Sequence, residues 1–316
     1  MTTMILRRLL QLPIILIVIY TVTFSLAWLI PGNPLEREDR RPNESIVEAM
    51  KAQYNLDNAP KFYFSYLENV TGIAYLKGDT KNIINFGPCL QYQDWSVNEL
   101  IGGTLPVSMV LGIAALILAL IIGLTAGIVG AVKPGGMLDF ATLLIALAGI
   151  SLPSFVIGTA LLIIFAVWMP IFHIGEWGTM RDLFLPALTL SLPFAAYIAR
   201  LTRLGMIDTL GEDYIRTARA KGLPEYRVVL QHALKVAFLP VLSFLGPAAA
   251  AVMTGSFVVE KVFNVPGIGQ HFVNSVLNKD IFVIMGIVLT YSTMLIIFNL
   301  IVDVMYRWVD PRIEIA

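Results

Sequence analysis

The chain has 316 residues, of which 57% are hydrophobic and 14% charged, and its formal net charge is zero. Soluble domains have roughly 45–50% apolar and about 25% charged residues, and the mean hydropathy here is +0.76. This composition excludes an ordinary soluble protein, and the lack of net positive charge argues against nucleic-acid binding. A single cysteine, Cys89, excludes an internal disulfide framework.

Apolar runs long enough to cross a bilayer recur along the chain. The first run follows Arg7 and Arg8 and is longer than the apolar part of a signal peptide, so we predict a retained anchor. Lysine and arginine concentrate in the segments that are cytoplasmic if the N-terminus is cytoplasmic. We therefore predict an all-α integral membrane protein with both termini inside and six transmembrane helices, at residues 9–30, 105–132, 138–169, 183–204, 236–259 and 281–306.

The long segment between the first two spans falls on the outer face. Ser45 with Glu48, and Ser96 with Glu99, have the spacing of helix-capping boxes, and aromatic residues between them predict a further short helix. We divide the chain into residues 1–30 (tip and first span), 31–102 (an outward helical cap) and 103–316 (a five-helix core with a cytoplasmic loop at 206–235).

Small residues recur every fourth position along the second span, at Ala119, Gly123, Gly127 and Ala131. Such a stripe lets another helix approach closely. The alternative is the general enrichment of glycine and alanine in membrane helices, and the sequence does not identify the packing partner.

Prolines interrupt three of the predicted spans, in places beside hydroxyl groups. Broken helices are tolerated in a bilayer where protein or a water-filled cavity satisfies the freed carbonyls. Sparse polarity of this kind suits a solute pathway, although serine and proline also simply bend packed helices. We assign a translocation path to Ser151, Pro153, Ser154, Ser243, Gly255 and Glu260, with an interfacial charge as the plain alternative for the last.

Ionisable residues are nearly absent from the interior of the spans, since Asp139, Glu260 and Asp303 all lie near span ends. Ion-coupled carriers usually place carboxylates or histidines at mid-membrane, so a secondary transporter is disfavoured. An intramembrane hydrolase is disfavoured too, because no histidine falls inside a span. The three histidines have no metal-ligand spacing, and we predict no metal site. No phosphate-loop motif occurs, so the chain does not bind ATP by that route.

The polar, basic run from Asp213 to Pro240 interrupts this apolar pattern. An acidic first turn predicts a helix beginning near Asp213, and Gly222 followed by Pro224 ends it. A second helix is predicted over 225–235. The sequence thus predicts two short helices, joined by a tight turn, on the cytoplasmic face, where basic residues dock a partner or hold the segment on anionic lipid.

The run YIRTARAKGLPEYRVVLQHALKVAFLP resembles the cytoplasmic coupling loop of membrane subunits of ATP-binding-cassette importers. ILRRLL, IPGNP, LPVS, ISLPSF, GSFVVEKVFNVPGIGQHFVNSVLNKD and NLIVDVMYRWVDPRI follow, in order, the pattern of the oligopeptide, dipeptide and nickel branch. The resemblance covers nearly the whole chain and is weakest over residues 31–95. The glutamate of the general importer signature falls on Arg216, with Glu212 and Asp213 one turn earlier.

The resemblance implies a type I importer permease in the bacterial inner membrane that forms half of an oligopeptide pore. Dipeptide, glutathione or a nickel chelate are alternative cargoes. It implies a second homologous permease subunit, two cytoplasmic ATPases that use ATP and magnesium, and an extracytoplasmic solute-binding protein. The implied ATPase-coupling residues are Asp213, Arg216, Thr217, Ala218, Arg219, Ala220, Lys221 and Gly222, and the implied outer-mouth residues are Pro266, Gly267, Gly269 and Gln270.

Overall fold

The computed structural model describes residues 2–31, 44–91 and 95–309, and side chains within 10–31, 48–91 and 95–305. The described residues form helices joined by short connections and contain no strand, which confirms the all-α prediction. The helices are α1 (Thr2–Leu29), α2 (Glu44–Tyr54), α3 (Ala59–Thr71), α4 (Ile73–Lys77), α5 (Val97–Val132), α6 (Met137–Ser151), α7 (Ser154–Trp168), α8 (Met180–Leu210), α9 (Asp213–Ala220), α10 (Glu225–Ala237), α11 (Leu239–Met253), α12 (Phe257–Phe263), α13 (Ile268–Leu277) and α14 (Ile281–Val309).

Four of these helices are individually long and apolar enough to cross a membrane: α1, α5, α8 and α14. Two further spans exist if each bent pair counts as one, α6 with α7 and α10 with α11. The break predicted at Pro153 in the third span is present, since the chain turns by 107° between α6 and α7. The residue before a proline is disfavoured in helical geometry, and Leu152 is extended.

The fifth span differs from its prediction. The helix that follows Pro224, α10, leads into α11 across a 57° bend. Part of α10, Val228–Ala233, has π-helical hydrogen bonding. The second short helix predicted over 225–235 is thus the first half of a bent helix pair, with α11 as the second half.

The chain separates into two compact units. The core unit contains the described residues of 2–8, 107–266 and 294–309, and the cap unit contains those of 9–106 and 267–293. These units cross the boundaries of the three segments predicted from the sequence, whose division stays a prediction.

In the core unit, the small-residue stripe of α5 packs on α8. A Cβ atom at Gly123 would lie 2.7 Å from the carbonyl oxygen of Ala195, and one at Gly127 would lie 2.5 Å from Cβ of Thr202. Real Cβ atoms essentially never approach this closely, so both positions require glycine. The close-packing interpretation is confirmed, and the partner is the fourth span.

The cap unit has an aromatic core. Tyr20 and Phe24 of α1 stack on Tyr66 and Phe62 of α3, and Phe282 of α14 packs against the same α3 rings. The short helix predicted from the aromatic residues is therefore confirmed as α3, with Asn58 as its N-cap.

The capping box at Ser96 and Glu99 is confirmed, since each side chain accepts a hydrogen bond from the backbone N–H of the other residue. It begins α5 eight residues before the predicted apolar span, at Val97. The side chain of Ser45, in the other predicted box, lies outside the described residues.

Asp280 ties the loop after α4 to the start of α14 within the cap unit. Its carboxyl accepts hydrogen bonds from the backbone N–H groups of Leu90 (2.7 Å) and Gln91 (3.2 Å) and from that of Val283 (3.2 Å). Burial raises the pKa of Asp280, and these hydrogen bonds oppose the rise.

Candidate coupling surface and transport path

The polar segment forms an elbow between the fourth and fifth spans. α8 ends at Leu210, and α9 runs from Asp213 to Ala220. Gly222 then adopts φ +76°, a left-handed conformation that favours glycine, and Pro224 precedes α10. The predicted helix, tight turn and second helical segment are all present.

The inward face of α9 is apolar and fully packed. Ile215 is 0% exposed and Ala218 is 7% exposed, three residues apart and therefore on one helix face. They belong to a cluster with buried residues of three membrane-spanning helices: Ala131 of α5, Met206 of α8, and Val228, Val229, Ala233 and Ala237 of α10. The elbow therefore packs directly against the ends of these helices.

The outward face of α9 is solvent-exposed. Seven of the eight predicted coupling residues lie there or in the following turn: Asp213, Arg216, Thr217, Arg219, Ala220, Lys221 and Gly222. Ala218 is the exception, since its side chain is buried against its own chain. The methyl group of Ala218 packs in the apolar cluster beneath α9.

An ion pair spans the turn of the elbow. The guanidinium of Arg219 donates two hydrogen bonds, of 3.2 and 2.7 Å, to the carboxylate of Glu225 across the Gly222 turn. The hydrogen bond to Glu225 raises the pKa of Arg219, so this side chain stays charged. The guanidinium of Arg219 is thus already paired within the chain.

Arg216 is held only weakly. Its Nη1 lies 3.3 Å from Oδ1 of Asp213, and the two side chains are 73% and 95% exposed. Exposed pairs of this kind contribute little to stability. Arg216 and Asp213 are therefore available for new ion pairs on a docking surface.

The predicted path residues fall into separate places. Ser151, Pro153 and Ser154 form the break between α6 and α7, with the first two exposed. Ser243 is exposed on α11, and Gly255 adopts φ +86° between α11 and α12. The structure contains two backbone breaks of the expected kind, but it does not gather these residues into one defined cavity among the described residues.

Glu260, assigned to the translocation path from the sequence, is buried within the core unit. It is 0% exposed, and its Oε1 accepts a 2.7 Å hydrogen bond from Oγ of Ser108, which is also buried. The carboxylate thus joins α12 to α5 inside the core unit. A contact between residues 152 positions apart leaves no local sequence signal.

The predicted outer-mouth segment contains a turn and the start of a helix. Asn264 ends α12 in the left-handed conformation, and Gly267 is the N-cap of α13. Pro266 is exposed and Gln270 is half-buried, but Gly267 and Gly269 are buried. Only the first two therefore present surface to solvent.

The carboxylate of Asp139 finds its hydrogen-bond donors within the core unit. Its carboxylate is buried at the start of α6 and accepts hydrogen bonds from Nη2 of Arg203 (2.7 Å), from Nε of the same residue and from the backbone N–H of Gly135 (2.8 Å). This bidentate pair links the third span to the fourth. It gives one of the few carboxylates near the spans a structural role.

The sequence analysis did not find a cluster of metal-ligand-type side chains at the connection before α8. His173, Glu176 and Asp182 bring three ligand-type atoms within 4.8 Å of one another. The separations of two and five intervening residues match no familiar ligand motif, so only the folded loop reveals the group.

Known proteins give a consistent picture. Residues 119–315 match the family described as "Binding-protein-dependent transport system inner membrane component". The oligopeptide transport system permease protein OppB of Escherichia coli (strain K12) is 42% identical over 99% of this chain and 100% of that protein. The dipeptide transport system permease protein DppB of Bacillus subtilis (strain 168) is 40% identical over 95% of this chain and 94% of that protein. Such permease subunits are typically non-catalytic.

The fold is also found among solved structures. An inward-facing form of the MetNI methionine ABC transporter has a TM-score of 0.51 over 67% of this chain and 97% of that chain, at 16% identity. This likeness concerns the fold alone, and it agrees with the predicted type I importer architecture. The apolar helices and the family model together make this a multi-pass inner membrane protein. The chain belongs to the family of binding-protein-dependent transport system inner membrane components.

Proposed function

We propose that this chain forms half of an ATP-driven import pore for oligopeptides, together with a second homologous membrane subunit. A permease of an ABC importer implies ATPase and other subunits. In our proposal these are two cytoplasmic ATPases, which use ATP and magnesium, and an extracytoplasmic solute-binding protein, which delivers the peptide. In this proposal the chain uses no cofactor for transport and catalyses no reaction. It switches the pore between outward and inward access.

The two-faced elbow is the observation that supports this proposal. The inward face of α9 is buried among the ends of α5, α8 and α10, and the outward face carries exposed Arg216 and Lys221. A partner that moves α9 would therefore move three membrane helices with it. A segment that only held the protein on anionic lipid would not need this connection.

Peptide cargo is favoured by the names of the full-length relatives, which are an oligopeptide and a dipeptide permease. Dipeptide is therefore the second candidate cargo. Uptake of labelled peptides of graded length, measured with the cognate binding protein, distinguishes the two.

A glycine substitution at the elbow tests the coupling. Gly222 has φ +76° and no atom within 4 Å of an added Cβ, so Gly222→Val strains the backbone by about 1–2 kcal/mol without a clash. We expect it to abolish peptide-stimulated ATP hydrolysis in liposomes that contain the complete transporter. Gly135→Val is the matched control, since Gly135 has φ +78° and the same open surroundings in the turn before α6.

Equal stimulation in the two variants would contradict a coupling role for the elbow. The energy source is tested separately. Uptake driven by an ion gradient in liposomes without ATPase subunits would support a secondary transporter instead, and we expect none because Asp139 is already paired with Arg203.

A further inference from the structure

A histidine and two carboxylates converge on the connection between α7 and α8. Nδ1 of His173 lies 3.1 Å from Oδ1 of Asp182 and 3.5 Å from Oε2 of Glu176. We propose that these three side chains bind a zinc-class divalent cation. This site is independent of the coupling surface and of the cargo.

The distances suit a tetrahedral metal. Zinc binds histidine nitrogen at about 2.0–2.1 Å and carboxylate oxygen at about 2.0–2.2 Å, which places neighbouring ligand atoms roughly 3.3–3.5 Å apart. The two nitrogen-to-oxygen distances of 3.1 and 3.5 Å bracket that range. Three protein ligands leave a fourth position for water, and the half-exposed His173 ring and the exposed Glu176 give access to it.

A hydrogen bond from the His173 ring accounts for this arrangement less well than a bound metal does. Both carboxylates approach the same ring nitrogen, and one N–H group donates a linear hydrogen bond to only one of them. The two carboxylates also place ligand oxygens within 4.8 Å of each other. A divalent cation accepts both oxygens and the nitrogen at once and neutralises both charges.

The loop holds its ligands in place. Phe172 stacks on Phe184 of α8, with ring centroids 5.5 Å apart and planes 7° from parallel, which brings the neighbouring His173 towards Asp182. The side-chain amide of Asn264 donates a 3.3 Å hydrogen bond to the carbonyl oxygen of Gly175, next to Glu176. These contacts fix both ends of the ligand segment.

Asp182 is oriented by the start of α8. Its Oδ2 accepts hydrogen bonds from the backbone N–H (2.9 Å) and the hydroxyl (2.8 Å) of Thr179, which leaves Oδ1 directed at His173. Outer-shell hydrogen bonds of this kind orient metal ligands. A nitrogen ligand combined with two carboxylates favours zinc, nickel or copper over calcium and magnesium, which prefer all-oxygen shells.

Zinc binding to the full-length chain, purified without a polyhistidine tag and stripped with a chelator, tests the proposal. Isothermal titration with zinc should show one site per chain. His173→Ala and Glu176→Gln should each weaken that site by more than about tenfold, because even outer-shell partners contribute that much. Excess magnesium should not compete.

Two further variants keep the outcome interpretable. His232→Gln removes a histidine outside the group and should leave the zinc site unchanged. Asp182→Asn keeps the carbonyl-type oxygen but removes the charge, and should also weaken zinc binding. Absence of a zinc site in the wild-type chain, or equal affinity in His173→Ala and His232→Gln, would overturn the proposal.

Discussion

The packing of α9 makes a quantitative prediction about Ile215. This side chain is 0% exposed and anchors an eight-residue helix whose other face is in solvent. Helices shorter than about 12–15 residues are marginal on their own in water. The stability of α9 therefore depends on its buried face, and Ile215→Ala should loosen the coupling surface without changing any exposed residue.

The magnitude follows from the burial. Replacing a fully buried isoleucine by alanine costs about 2–5 kcal/mol, and the only other buried side chain of α9, Ala218, is too small to compensate. Since about 1.4 kcal/mol corresponds to a tenfold change in an equilibrium constant, the open population of α9 should rise by at least about 25-fold. The loss of stability should be confined to α9, because the rest of the apolar cluster lies on α5, α8 and α10.

Amide hydrogen exchange measures this opening directly. The N–H groups of Lys221 and Gly222 are bonded to Thr217 and Arg219, so they report on the C-terminal end of α9. Their exchange should accelerate in Ile215→Ala by the factor given above and stay unchanged in Arg216→Ala, an exposed control on the same helix. Unaltered protection in Ile215→Ala would refute the view that packing on the membrane helices holds α9 in place.

Two further predictions concern the core unit. Arg203→Ala leaves the carboxylate of Asp139 without its bidentate partner and should lower the melting temperature in detergent. Arg200→Ala, at an exposed position of the same helix, should change the melting temperature little. Gly127→Leu forces atoms into the α5–α8 contact and should cost at least about 1–3 kcal/mol, whereas Gly102→Leu, with no atom within 4 Å of its Cβ position, should be tolerated. Equal melting temperatures within either pair would contradict the corresponding packing.

Features encoded by neighbouring residues could be predicted from the sequence. Apolar runs located the membrane helices. Ser96 and Glu99, three positions apart, marked the start of α5 through their capping hydrogen bonds. Gly123 and Gly127 indicated a packing face because residues four positions apart lie on the same face of a helix. Their partner on α8 is distant in sequence, so only the structure identifies it.

Features that depend on distant contacts or on the direction of a bend could not be predicted. Pro153 indicates a break, but the 107° turn depends on how α7 packs against other helices. The sequence placed Glu260 near a span end and could not show that the hydroxyl of Ser108 donates a hydrogen bond to it. The burial of Ala218 depends on where α10 lies, because the same alanine would be exposed on an isolated helix.

The architecture of the core unit explains how a small surface could act on the membrane helices. α8 accepts the glycine stripe of α5, pairs through Arg203 with the start of α6, and leads through two residues into α9. Beyond the Gly222 turn, the Arg219–Glu225 pair connects α9 to α10, which continues into the fifth span. A displacement of α9 is therefore shared among helices on both sides of the elbow, instead of being absorbed by a loose loop. Close packing of interiors transmits such displacements, because packed side chains have little free volume to deform into.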